Sequence, residues 1–546
     1  MSLPSALRQL AFGWIADDPD PDTKAELQRV VANAMGGAPG AVEDLADRMN
    51  GTLTFGTAGL RGPVRAGSNG MNRAVVVRAT AGVAEWLRHK GHAGGTVVVG
   101  RDARHGSESF MDAAAGVLAA AGFSVLTMPG PLPTPVTAFL VRSLGAVAGI
   151  QITASHNPPA DNGYKVYTDD GSQIVPPDDR LIEAAIRGVP AARSVPVSPG
   201  AMPVSAAQVE AYLTHVASLP RGTARDLRVV LTPMHGVGGD TALEALRRAG
   251  FPDVTLVPEQ AAPDPDFPTV DFPNPEEPGA ADLLLRFAES SGADLAIALD
   301  PDADRCALAA RFAGGWRMLR GDETGALLGE QVLATLDRVA HPDPLVASTI
   351  VSSSLLGHVA AAHGARHTET LTGFKWLVRA GAGLVFAYEE ALGLCVDPDS
   401  VRDKDGISAS IVACDLVATL KAAGRTLPDA LDDLAVAHGV HLTDQISLRF
   451  TDVSAIGPMV AALRSAPPES LGGVPVTQDN PAPDIIRLRA EGLRVIIRPS
   501  GTEPKVKAYL EIVEPVASPE ALASARSRAS ERMSALRDEV AALLKA

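Results

Sequence analysis

The run Ile152-Thr153-Ala154-Ser155-His156-Asn157-Pro158-Pro159 continues through Asp161-Asn162-Gly163-Tyr164-Lys165 and sets a nucleophilic hydroxyl near an imidazole and an ammonium group. Residues 146–152 carry short apolar side chains and read as a buried strand. The Asn-Pro-Pro segment then removes two backbone donors and forces a rigid turn. Ser155 is therefore expected to be exposed at the carboxyl end of a strand, where open α/β sheets bind ligands. Serine, imidazole and ammonium together suit either acyl transfer or phosphoryl transfer.

A second segment favours phosphoryl transfer. Asp300-Pro301-Asp302-Ala303-Asp304-Arg305 follows the strand-like run Asp294 to Leu299. In extended backbone, residues two apart face one side, so Asp300, Asp302 and Asp304 are expected to converge. Three such carboxylates repel one another unless a hard divalent cation lies between them, and Mg²⁺ is the expected ion. An EF-hand calcium loop shares the opening spacing. It is excluded because its sixth position needs Gly and its twelfth Glu, whereas Arg305 and Arg311 stand there.

A third segment, Arg498-Pro499-Ser500-Gly501-Thr502-Glu503-Pro504-Lys505, follows another strand-like run, Leu493 to Ile497. A Ser-Gly-Thr turn can aim successive N–H groups and two hydroxyls at an anion. Arg498 can add a bidentate fork and Lys505 a point charge.

Together these segments resemble the signatures of the α-D-phosphohexomutase superfamily: a TASHNP-type phosphoserine loop, a DxDxDR-type metal loop and an RPSGTEP-type phosphate loop. Phe55 to Gly62 is similar to the family's opening segment. Residues 265–270 and 274–277 look like its long-chain branch, which includes phosphoglucomutases, phosphopentomutases and a sugar-bisphosphate synthase. A sugar-recognition loop is also present in family order, at Ala387-Tyr388-Glu389-Glu390-Ala391-Leu392-Gly393. The resemblance covers nearly the whole chain.

The resemblance implies three similar mixed-sheet α/β domains followed by a smaller C-terminal α+β domain, all around a central cleft. It also implies a mechanism. Ser155 is carried as a phosphoserine, with Mg²⁺ held by Asp300, Asp302, Asp304 and a phosphate oxygen on Ser155. The phosphoryl group passes to a sugar monophosphate, and the resulting bisphosphate turns over and returns its other phosphoryl group. Lys165 is the first acid/base candidate and His156 the second, with Arg61 and Arg305 as catalytic cations. Glu389 and Glu390 would hold ring hydroxyls, with Thr372, Gly373 and Lys404 contacting the sugar from other sides. Arg498, Ser500, Gly501, Thr502 and Lys505 would hold the phosphate that does not react. A catalytic sugar bisphosphate is the expected activator. The implied reaction moves a phosphoryl group between C1 and C6 of a hexose, glucose before mannose. A pentose C1/C5 mutase or a sugar-bisphosphate synthase is the alternative. Ala391 stands where many hexose-specific relatives have Ser, so one hydroxyl contact is missing.

Two other classes compete with this reading. A serine hydrolase would use Ser155 with His156, but neighbouring side chains are expected to diverge, and G-x-S-x-G is absent. A non-catalytic sugar-phosphate sensor would have no need for the aspartates and the serine together.

The elements that must position these residues read as repeated strand–loop–helix units. Thr96 to Val99 leads to a helical pattern at 107–121, Val229 to Leu231 to a helix from about Asp240, and Leu345 to Ser348 to a helix after Ser354. Alternation at this spacing indicates parallel or mixed α/β sheets. The glycines at 236–239 lack the G-x-G-x-x-G of a dinucleotide site. A proline-rich stretch from Val189 to Val204 reads as a linker, with further boundaries near Gly314-Gly315 and at 438–443 and a long final helix at 519–545. The expected domains are 1–204, 205–314, 315–440 and 441–546.

Composition is consistent with that division. At 546 residues the chain exceeds one core. The net charge of −16 argues against nucleic-acid and anionic-membrane partners, so a locally positive cleft must hold any phosphorylated substrate. No apolar run reaches the roughly 20 residues of a membrane span, and no secretory signal is visible. Cys306, Cys395 and Cys414 are too few and too scattered for a disulfide framework. A cytoplasmic enzyme is expected, with its oligomeric state open.

Overall fold

Short apolar runs become the central strands of three sheets in the computed structural model. The structure describes every residue except Met1, Ser2, Thr57, Thr451, Asp452, residues 500–504 and Ala546. Strands Ala148–Ile152, Val229–Thr232, Leu295–Leu299 and Leu345–Thr349 are buried at every position. Parallel strands covered on both faces need such continuous apolar sequence.

The first sheet runs in the order Leu60–Pro63, Asp161–Thr168, Ala148–Ile152, Thr96–Arg101, Ser124–Thr127, Met202–Pro203. The second runs Gly315–Met318, Cys306–Phe312, Leu295–Leu299, Val229–Thr232, Val254–Leu256. The third runs Arg366–Thr370, Leu345–Thr349, Leu384–Glu389, Gly393–Cys395. All three share one local plan. A strand with a parallel neighbour ends in a loop, and the chain returns antiparallel beside it. The pairs are Ala148–Ile152 with Asp161–Thr168, Leu295–Leu299 with Cys306–Phe312, and Leu384–Glu389 with Gly393–Cys395. The loops between them carry Ser155, the aspartate triplet and the Glu389-Glu390 pair. The fold therefore repeats one topological position three times.

The last sheet is antiparallel throughout, in the order Val440–Arg449, Lys505–Glu514, Leu493–Pro499, Ile485–Ala490, Thr477–Ala482. The helix Leu522–Leu543 covers it with Ala525, Ala529, Met533, Leu536 and Val540. One apolar core joins the first three sheets, with Phe139 edge-on to Tyr212 at 5.5 Å between ring centroids. Three helices at the start, Ser5–Asp17, Pro21–Met35 and Ala41–Arg48, extend the core of the first sheet through Trp14, Leu27 and Leu45.

Two expectations are corrected. The boundary at Gly314-Gly315 falls inside the hairpin of Cys306–Phe312 and Gly315–Met318, so the chain leaves the second sheet only after Met318. The proline-rich stretch 189–204 is only partly a linker, because Met202–Pro203 pairs in parallel with Leu126 and Thr127. Proline is tolerated there because the strand lies at the sheet edge. No single helix among the described residues is long and apolar enough to cross a membrane. The bent pair Gly406–Ala422 and Leu427–His438 passes by length and composition, but residues 406–418 of it are buried inside the protein.

Candidate active site

The serine loop is built around a strained residue. Ser155 has φ 53°, in the left-handed region that non-glycine residues enter at a cost of about 1 kcal/mol or more. Its N–H donates to Thr153 Oγ1 at 2.9 Å. The Arg104 guanidinium donates to the carbonyls of Ser155 (2.6 Å), Asn157 (2.5 Å), Pro158 (2.8 Å) and Asp161 (3.1 Å). Asp102, 3.4 Å away, balances that buried charge. Contrary to expectation, Ser155 is buried, at 3% exposure. The reason is the neighbouring metal loop, which closes over it: Ser155 Oγ donates to Asp300 Oδ2 at 2.7 Å.

The aspartates do converge, but not through extended backbone. The chain turns at Pro301-Asp302-Ala303, with Ala303 at φ 54°. One oxygen from each of Asp300, Asp302 and Asp304 lies within 4.8 Å of the others. Gly236 permits this packing, since a Cβ there would meet Pro301 Cα at 2.3 Å. Its glycine-rich loop supports the aspartates. Thr134 fixes Asp302 twice, its Oγ1 donating to Oδ2 at 2.6 Å and its N–H to the backbone carbonyl at 2.9 Å.

Lys165 Nζ donates to Asp302 Oδ2 and Asp304 Oδ2, both at 2.8 Å. Lys404 Nζ lies 3.4 Å from Asp304 Oδ2. The remaining Oδ1 atoms of Asp302 and Asp304 are buried and have no protein partner. Asp300 uses Oδ1 to accept the Arg305 N–H at 2.9 Å. Three clustered carboxylates, two of them with an orphaned oxygen, fit a hard divalent cation in chemistry and spacing.

Charge in the cluster is steeply graded. Burial, then Asp302 and Asp304, raises the Asp300 pKa well above the usual carboxylate range. Burial would also raise Asp304, but Lys165, Lys404 and Arg305 outweigh it and hold it low. Burial would lower Lys165, but Asp302 and Asp304 outweigh it and keep the ammonium charged. The ammonium therefore holds its proton firmly and acts here as a fixed positive charge against Asp302 and Asp304. His156 is the reverse case: burial, then Arg305 and Arg61, keep its imidazole neutral. Its Nδ1 stands 3.2 Å from Ser155 Oγ, so the expected divergence of these neighbours does not hold. The left-handed backbone at Ser155 turns the two side chains together.

Arg61 Nη1 donates to Asn157 Oδ1 at 3.0 Å, on the open side of the serine loop. Gly59, in the same opening segment, lies against Tyr164, whose carbonyl oxygen a Cβ would meet at 1.8 Å. Arg305 Nη1 lies 3.7 Å from Glu276 Oε2, and its buried Nε has no partner.

The sugar end divides its two glutamates. Glu389 ends its strand near Arg305 and Lys404, whose charges it supports. Glu390 turns into the protein, where its Oε2 accepts from Thr349 Oγ1 at 3.0 Å and Ser352 Oγ at 3.1 Å. Gly373, at φ 106°, starts the short helix Phe374–Leu377, and Lys404 Nζ lies 5.5 Å from the Phe374 ring centroid. Arg498 Nη1 donates to Thr372 Oγ1 at 2.6 Å, so the strand Leu493–Pro499 touches the segment before Gly373 directly. The Arg498 Nε is buried without a partner. Lys505 begins the neighbouring strand, and Ser500, Gly501 and Thr502 lie outside the described residues.

The sequence reading missed Arg104, Thr134 and Lys507. Lys507 pairs opposite Arg498, and burial followed by the charge of Lys505 lowers its pKa. Only the strand alternation Lys505, Lys507 signalled it.

Glu390 carries a testable pH dependence. Burial, then Glu389 and Asp322, pushes its carboxyl up to about 7. A carboxyl raised on folding stabilises the fold at low pH and loses that contribution as pH rises through the folded value. Glu390→Gln keeps an acceptor but cannot ionise. Its melting temperature, plotted minus that of wild type, should therefore climb between about pH 4 and 7 and level off above. A flat difference would show that Glu390 titrates normally.

Family models match the chain in four consecutive segments. These are the phosphoglucomutase/phosphomannomutase alpha/beta/alpha domains I, II and III at residues 52–192, 210–312 and 320–437, and the C-terminal domain at 469–525. A Haemophilus influenzae protein named "Probable phosphomannomutase" is 43% identical over 81% of this chain and 93% of its own length. The human protein named "Phosphopentomutase" is 32% identical over 93% of this chain and 92% of its own. The open form of Paramecium parafusin, described as a phosphoglucomutase, superposes with a TM-score of 0.69 at 18% identity. It covers 90% of this chain and 94% of its own, and supports the fold.

Proposed function

Since the chain belongs to the phosphoglucomutase/phosphomannomutase family and is a phosphosugar mutase, we propose that it moves a phosphoryl group between C1 and C6 of a hexose, glucose first, with Ser155 as carrier. The observation that carries this reading is the 2.7 Å contact from Ser155 Oγ to Asp300, which unites the nucleophile with the cation-binding cluster.

Asp300, Asp302 and Asp304 would hold Mg²⁺, and the bound ion supplies Lewis-acid stabilisation of phosphoryl charge. The chain's own residues do the rest. Arg104 and Thr153 keep Ser155 in its strained geometry and aim Oγ at the cleft. The phosphoryl group on Ser155 passes to the free sugar hydroxyl, whose proton leaves as the new P–O bond forms and the serine P–O bond breaks. Neutral His156, with Nδ1 3.2 Å from Ser155 Oγ, takes up the proton that the sugar hydroxyl releases and returns it to the serine oxygen, while the Lys165 ammonium stays as the charged partner of Asp302 and Asp304. The bisphosphate then turns end for end and gives its other phosphoryl group to Ser155. Arg498, Ser500, Gly501, Thr502 and Lys505 hold the end that does not react, and Arg61 and Arg305 add positive charge around the serine loop. Glu389 meets the sugar hydroxyls, with Thr372, Gly373 and Lys404 across from it. Catalytic sugar bisphosphate restores phosphoserine lost to hydrolysis.

A second reading is a pentose mutase acting between C1 and C5. Ala391 has no hydroxyl, and Glu390 is engaged inside the protein, so the sugar loop offers fewer ligands for ring hydroxyls. A kcat/KM panel of glucose, mannose, ribose and deoxyribose 1-phosphates, each with catalytic bisphosphate, tests both. Glucose 1-phosphate is expected to rank first. A tenfold or larger preference for a pentose phosphate would replace the hexose reading, and net accumulation of bisphosphate would point to a synthase.

A further inference from the structure

Arg494 lies on the phosphate strand Leu493–Pro499, four positions before Arg498, yet it points at the sugar domain. Its guanidinium is nearly enclosed, at 11% exposure, and has four partners. Nη1 donates to the Ile350 carbonyl at 3.2 Å and to Glu369 Oε1 at 2.9 Å. Nη2 donates to the Ser352 carbonyl and lies 2.7 Å from Glu511 Oε2. The other Glu511 oxygen accepts from Ser353 Oγ and from the Ser354 N–H, both at 2.7 Å. The final domain thus grips the whole turn 350–354.

That turn governs the sugar loop. Ser352 Oγ donates to Glu390 Oε2 at 3.1 Å and accepts the Glu390 N–H at 3.1 Å. The same hydroxyl thus holds the Glu390 peptide and, together with Thr349 Oγ1, its carboxyl. The carbonyl of the same residue is held by Arg494. Glu389, one residue earlier, is placed by the same peptide.

We propose that Arg494 is a positioning residue that couples sugar recognition at the Glu389-Glu390 loop to docking of the phosphate-binding domain. This rests on the mutase reading above. The strand that presents Arg498 to phosphate and to Thr372 also sets, through Arg494, Ser352 and the Glu390 peptide, the Glu389 carboxylate that meets the sugar. A phosphosugar is then read at both ends by one rigid unit, and a sugar held without its phosphate engages a loosened loop. Lysine keeps the charge but has no planar fork to reach Ile350, Ser352 and Glu369 together.

The test is a double-mutant cycle on kcat/KM with Arg494→Lys and Ser352→Ala, in full-length protein checked for folding by circular dichroism. Each single variant should lose roughly tenfold and shift the ratio between glucose and ribose 1-phosphates. The double variant should be no worse than the poorer single, because both act on Glu390 through one chain of contacts. The Mg²⁺ concentration for half-maximal activity should stay at the wild-type value, which general misfolding would move. Multiplying losses, or folded single variants with wild-type kcat/KM and sugar ratio, would overturn the proposal. If Arg494→Lys does not fold, an unchanged sugar ratio in Ser352→Ala overturns it, and a shifted ratio supports it. Wild type that turned over none of the sugar phosphates would instead refute the mutase reading itself.

Discussion

Ser155→Ala should lose mutase activity by a factor on the order of 10,000 or more, because the variant has no atom to carry the phosphoryl group between half-reactions. Binding and charge neutralisation survive such a change, but neither supplies a covalent route. The cost to the fold should be modest and measurable. Ser155 is buried and its hydroxyl satisfies Asp300, so alanine leaves that carboxyl one donor short, a loss of about 1–2 kcal/mol. Relief of strain is not expected to offset this, since alanine is no easier than serine at φ 53°. A folded variant with activity within tenfold of wild type would remove Ser155 from the mechanism.

Asp302→Asn should lower turnover on the order of 100- to 10,000-fold at saturating sugar phosphate and raise the Mg²⁺ requirement. The asparagine amide brings donors where Oδ2 now accepts from both Thr134 and Lys165, and it removes a negative charge that would help hold the cation. Exhaustive chelation of wild type should abolish activity, and added Mg²⁺ should restore it. Isothermal titration should show weaker Mg²⁺ binding by Asp302→Asn in protein that circular dichroism shows to be folded. Full activity of chelated wild type would contradict the role assigned to all three aspartates.

Local chemistry was the legible part of the sequence. The apolar runs before Ser155, Asp300 and Arg498 are strands because their composition permits little else. The loops after the first two carry residues whose types suit phosphoryl transfer. What periodicity could not reveal is how those loops fold on each other. Ser155 is buried by a carboxylate 145 positions away, and Thr134 steadies Asp302 across 168 positions. Arg104 is an ordinary-looking arginine after a strand, and only three dimensions show it holding four carbonyls of the serine loop. Alternation predicted the convergence of the aspartates for the wrong reason, since a turn and a left-handed alanine bring them together. The paired glutamates looked equivalent in sequence. Their separation into one cleft-side carboxylate and one internal carboxyl depends on Thr349 and Ser352 from another strand end.

The central claim is that one phosphoryl group leaves Ser155 and another returns to it in every turnover. Rapid-quench transfer from enzyme carrying ³²P on Ser155 tests it most directly, with unlabelled glucose 1-phosphate in excess. The label should leave the protein in a single turnover, appear first in sugar bisphosphate and then in sugar monophosphate, with a rate constant at least equal to kcat. Label that stays on the protein while sugar phosphate is isomerised, or that maps to a residue other than Ser155, would contradict the account.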